Sequence, residues 1–185
     1  MTLLRHRATR NPQGKHSTAI HEAGHAVAHF RLKIDQLGAS IASDGETAGY
    51  SHASSSVFSG QDAEDQVVAY CAGYAACLAA NLPDADAGCG DDFEKAQELI
   101  ECWQLGSITD WQGKAVELMS RPENISAVAL IAKHLLRWQT LDVDYMGMLL
   151  EVADGNMTTA EFDRYRDFRS RCDPPFAERY RQFRE

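Results

Sequence analysis

Residues 17–30 read Ser-Thr-Ala-Ile-His-Glu-Ala-Gly-His-Ala-Val-Ala-His-Phe, and inside them His21, Glu22 and His25 form His-Glu-x-x-His. Ser17 or Thr18 can cap a helix start, and Ala19, Ile20, Ala23, Ala26, Val27 and Phe30 supply an apolar frame without proline. The stretch therefore predicts a helix ending near residue 33. On a helix, side chains four apart lie on one face about 6 Å from each other, so both imidazoles can converge on one small cation. Neutral imidazole is a good zinc ligand. Glu22 sits one residue past the first histidine, where its carboxylate can reach a water on that cation, and such water loses a proton at about pH 7. This is the minimum equipment for hydrolysing an amide.

The chain of 185 residues, 44% hydrophobic and 24% charged, has ordinary globular composition and predicts one domain with a real core. A basic arm (1–16) with breakers at Asn11, Pro12 and Gly14 precedes a domain of residues 17–170, and an arginine-rich tail (171–185) follows, of which residues 176–185 are expected to dock on a neighbour. The net charge is −9, and residues 35–123 carry 16 acidic against three basic side chains, which disfavours nucleic acid as a partner. Cys71, Cys77, Cys89, Cys102 and Cys172 show no Cys-x-x-Cys pairing and are odd in number, as expected of reduced thiols in a cytoplasmic protein. The most apolar run, residues 67–80, falls below the roughly 18 residues that span a bilayer, so it is expected to be a buried core helix and not a membrane anchor. Nothing in the opening residues reads as an export signal.

Along the chain, residues 38–41 and 47–52 flank Ser43-Asp44-Gly45-Glu46 and predict a hairpin with an Asp-Gly turn. An exposed strand there could take an extended substrate by strand addition. Helices are predicted over 62–80, from Asp91 onward with Asp91 and Glu94 as a capping box, and over 110–119, 122–139, 142–153 and 159–169. Gly73 and the surrounding alanines would let the 62–80 helix pack closely on the His-Glu-x-x-His helix.

A catalytic zinc usually takes three protein ligands and keeps one position for water. His29 lies eight residues past His21, about 12 Å along a helix axis, whereas ligands on one zinc are about 3–4 Å apart, so it cannot close the site with His21. Asp91, Asp92, Glu94, His52 and His134 remain, and geometry leaves that choice open.

In His21-Glu22-Ala23-Gly24-His25-Ala26 and in Gly88-Cys89-Gly90-Asp91-Asp92-Phe93 the chain resembles the peptidase domain of FtsH-type proteases, the membrane-bound AAA+ zinc proteases. The later segment is similar to that family's Gly-x-x-Asn-Asp-hydrophobic pattern, in which the second residue of the Asn-Asp pair supplies the third ligand. The resemblance thus implies Asp92. Between the motifs, Ala48-Gly49-Tyr50 stands for Leu-Gly-Tyr and Ala72-Gly73-Tyr74-Ala75-Ala76 for the family's small-residue helix; the match covers roughly residues 17–105. Asp91 replaces the family's asparagine, and Cys77, Leu78 and Ala79 replace its paired acidic residues. Gly14-Lys15 and Gly113-Lys114 both lack the earlier glycine of a phosphate loop.

These readings imply a mainly α, helical zincin-like metallopeptidase domain with one small β-hairpin. The expected activity is zinc-dependent, ATP-independent peptide-bond hydrolysis, with His21, His25 and Asp92 as metal ligands and Glu22 as general base toward the zinc-activated water. A protein or peptide substrate, a partner unfoldase and a homo-oligomeric ring follow from the resemblance. Two alternatives compete: a zinc-bearing protein-binding module, and a small-molecule amide hydrolase on the same triad.

Overall fold

The computed structural model describes residues 12–42, 50–53 and 57–176. The chain is mainly helical. Among the described residues the elements are α1 (Pro12–Arg31), then β1 (Gln36–Ser40), β2 (Tyr50–Ala53), α2 (Gly60–Ala79), α3 (Gly90–Trp103) and α4 (Ile108–Met119). There follow α5 (Pro122–Trp138), β3 (Thr140–Asp142), α6 (Val143–Ala153) and α7 (Thr159–Cys172).

The fold is built around α1. Every residue from Ala19 to His29 except His21 is buried, as expected of a helix enclosed on all sides. It lies against α2 on one side and α5 on another, with α6 and the sheet also touching it. The approach of α2 is so close that a β-carbon on Gly24 would fall 2.6 Å from both the Ala72 carbonyl oxygen and Ala76 Cβ. Small residues on both helices are what permit this spacing.

Helix α1 starts earlier than its sequence implies. Proline lacks the N–H that a first helical turn would leave unused, so Pro12 opens the helix instead of breaking it. Ser17 and Thr18 are interior, and the Thr18 hydroxyl donates back to the Gly14 carbonyl at 2.8 Å. The last residues of the predicted basic arm therefore belong to α1. At the other end Lys33 takes a left-handed φ of 58°, and the Ile34 amide donates to the His29 carbonyl at 2.8 Å. With Lys33 N–H on Phe30 O, this is a Schellman ending.

The hairpin forms, with Gly38 opposite His52 and Ser40 opposite Tyr50, while its Asp-Gly turn lies outside the described residues. The sheet differs from a lone hairpin. Strand β3 pairs antiparallel with the other side of β1, giving the order β2-β1-β3. Three residues between two helices are too few to carry a period-2 signal, which is why this strand is invisible in the sequence. Strand addition is thus excluded at β1, and β2 and β3 are the edges.

The C-terminal helices close the far side of α5. Asp142 caps α6 by accepting from the Tyr145 amide at 3.0 Å, and also accepts from Arg169 at 2.8 Å. The capping box of α7 is present, with Thr158 and Glu161 each serving the other. Phe176, inside the predicted tail, is fully buried, with its ring centroid 5.9 Å from that of Tyr145 and the Arg169 guanidinium 4.5 Å above it. The start of the tail is therefore part of this chain's own core. Among the described residues, no helix is long and apolar enough to cross a membrane.

Candidate metal centre

Four residues apart on α1, His21 and His25 turn their imidazoles to the same side, toward the first turn of α3. There Asp92 meets both: its Oδ2 lies 2.9 Å from His21 Nε2 and 3.2 Å from His25 Nε2, and the two Nε2 atoms are 3.0 Å apart. Among the described residues, this is the one group of His, Cys, Asp or Glu side chains whose ligand atoms gather closely enough for a single ion. Ligands on a tetrahedral zinc with bonds of about 2.0–2.1 Å stand about 3.3 Å from one another. The three atoms need to open by only a few tenths of an ångström, and two imidazole nitrogens with one carboxylate oxygen are a donor set that zinc accepts. The residues fit the ion.

Each imidazole is held from its far side. His25 Nδ1 lies 2.8 Å from the Ala69 carbonyl of α2, which fixes that nitrogen as the protonated one and turns Nε2 toward Asp92. His21 Nδ1 lies 3.8 Å from Cys89 Sγ. Room for both rings comes from Gly73: a β-carbon there would sit 2.6 Å from His21 Cε1 and 2.6 Å from His25 Nε2. The sequence marks Gly73 as a close-packing position, but not that its open face receives the two histidines. The Ala69 carbonyl and Cys89 are not legible as site residues at all, although Ala69 stands one helical turn before Gly73 and Cys89 three residues before Asp92.

The electrostatics separate the two carboxyl groups. Burial works to raise Asp92, yet hydrogen bonds with His21 and His25 outweigh it and hold this carboxyl well below the usual range. For Glu22 burial prevails. It is 6% exposed, and desolvation lifts its pKa to about 7 against the pull of His21. Burial likewise pushes the Cys89 thiol up to about 12, so it is neutral at ordinary pH.

The other sequence candidates fall away for different reasons. Asp91 and Glu94 are exposed and stand outside the group, and they do not form the predicted capping box: Cys89 occupies the N-cap and α3 begins at Gly90. His134 is 3.0 Å from the Tyr145 hydroxyl, in the C-terminal part of the core. The His52 side chain lies outside the described residues. His29 stays out of the cluster and stacks on His25 at 6.4 Å between centroids; burial and then His25 lower its pKa to about 3. The chain matches no family model and no curated protein.

Proposed function

We propose that the chain is a zinc metalloendopeptidase of the FtsH type, acting on peptide bonds in flexible protein segments in the cytoplasm without ATP hydrolysis of its own. The observation that carries this reading is the convergence of His21 Nε2, His25 Nε2 and Asp92 Oδ2, with buried Glu22 adjacent in sequence to the first of them. The order of elements supports it too: metal helix, hairpin, small-residue helix, then a helix with the third ligand in its first turn.

When bound, zinc supplies a Lewis acid that polarises the scissile carbonyl and makes water a competent nucleophile. His21, His25 and Asp92 hold it. A carboxylate oxygen of Glu22 accepts a proton from the attacking water and delivers it to the leaving amine nitrogen. With a pKa of about 7, Glu22 is poised between its two states, and a cation alongside lowers that value and favours the base. As an edge strand, β2 offers an extended substrate a backbone to pair with.

The test compares wild type with Glu22→Gln, both loaded with zinc, on an unstructured protein such as casein. Cleavage confined to wild type is expected, with equal zinc content in the two. Cleavage by both proteins would remove Glu22 from the mechanism. Cleavage by neither, with zinc bound, would favour the zinc-bearing binding module or a substrate delivered by a partner unfoldase.

A further inference from the structure

We propose that Cys89 is a positioning residue for His21: its sulfur accepts the Nδ1 proton and thereby holds the imidazole with Nε2 free to bind metal. This rests on the metal reading above and adds to it a residue outside the ligand set.

One turn of α3 reaches both nitrogens of a single ring. Asp92 Oδ2 stands 2.9 Å from His21 Nε2, and Cys89 Sγ, three residues earlier, stands 3.8 Å from His21 Nδ1. The thiol is itself directed, since Sγ donates to the Ala85 carbonyl at 3.5 Å. Its lone pairs are left for the ring, giving a chain from His21 Nδ1–H to Cys89 Sγ–H to the Ala85 oxygen. The Cys89 backbone is fixed at both ends, its N–H on Asp86 O at 3.1 Å and its carbonyl accepting from Phe93 at 2.9 Å. No side-chain bond caps α3, so the sulfur is not committed to the helix terminus. The ring also packs against Gly73, where an added β-carbon would come within 2.7 Å of Nδ1.

A histidine that binds metal through Nε2 must carry its proton on Nδ1, and that proton needs an acceptor. His25 gives its proton to the Ala69 carbonyl. For His21 the corresponding acceptor is sulfur, and Cys89 is 1% exposed, so water has little access to replace it. Removing the acceptor leaves a part-buried donor without its partner and releases the ring from its ligating orientation.

The test measures zinc affinity of the full chain by competition with a chromophoric chelator, for wild type, Cys89→Ala and Cys89→Ser. Loss of such a partner lowers metal affinity roughly 10- to 100-fold, which is the expectation for Cys89→Ala. Cys89→Ser keeps an acceptor and should recover most of the loss. The second readout is solvent exchange of the His21 Nδ1 proton, followed by imidazole NMR on the zinc-loaded proteins: slow in wild type and Cys89→Ser, fast in Cys89→Ala. Unchanged affinity in Cys89→Ala, or Cys89→Ser as weak as Cys89→Ala, overturns the positioning role while leaving the metal reading intact. A wild-type chain that binds no zinc overturns both.

Discussion

Gly73 lies so close to His21 that a β-carbon would come within 2.6 Å of the ring, and within the same distance of His25. Gly24 is equally tight, but against the Ala72 backbone and Ala76. The two glycines therefore separate the histidine cluster from helix packing. Gly24→Ala should destabilise the fold by about 1–3 kcal/mol through forced separation of α1 and α2. Gly73→Ala should in addition displace the imidazoles and abolish the rise in melting temperature on adding zinc. Thermal melts of both variants with and without zinc check this; a normal zinc response in Gly73→Ala would contradict the close packing seen here.

Asp92 supplies the one negative charge of the donor set. Asp92→Asn keeps the shape and removes that charge, so zinc affinity should fall strongly. At a zinc concentration about 100 times the dissociation constant, a specific site stabilises the fold by about 2.7 kcal/mol. Wild type should show a gain of this order in urea unfolding, and Asp92→Asn at the same zinc concentration should show little or none.

His134 connects stability to pH. Burial, followed by the nearby charges of Lys133, Arg137 and Arg166, lowers its pKa from 6.5 to about 4. Between these values the unfolded chain takes up a proton that the folded chain refuses, so stability falls as pH drops from about 6.5 toward 4 and is independent of this group above that window. Between pH 7 and 5 the contribution is about 1–2 kcal/mol. Urea unfolding in the presence of a chelator should show a smaller loss over that interval for His134→Gln than for wild type. An identical loss would mean that His134 does not titrate as described.

Phe176 is fully buried at the end of the described chain. Truncating a buried Phe to Ala typically costs about 3–5 kcal/mol, and Phe176→Ala should fall in that range if the segment stays docked in solution. A cost below about 1 kcal/mol would show that it does not.

Helix α1 and the convergence of its two histidines were legible because their spacing is local: i and i+4 on one helix converge whatever the rest of the chain does. Asp92 stands 71 positions from His21, and nothing in spacing distinguishes it from Asp91 or Glu94. The resemblance to a known motif singled it out, and the structure brings it to the two histidines. Gly73, Cys89 and the Ala69 carbonyl act through the packing of α2 and α3 on α1, and such tertiary contacts leave no periodic trace. The start of α1 was misread because Pro12 has two meanings, breaker or first helical residue. Phe176 is in the core, and a single buried phenylalanine amid arginines carries no periodic signal.

The central place of α1 also bears on how the protein is made. Its apolar residues are made before those of α5, which covers one of its flanks and begins about 90 residues later, roughly 5–20 s at ordinary translation speeds. Until α5 is made the helix lies open on that flank, and until Asp92 is made His21 and His25 lack the carboxylate that meets them in the folded chain. Its passage into the folded state is thus a window in which chaperones have a sticky target and the three-residue cluster is still incomplete.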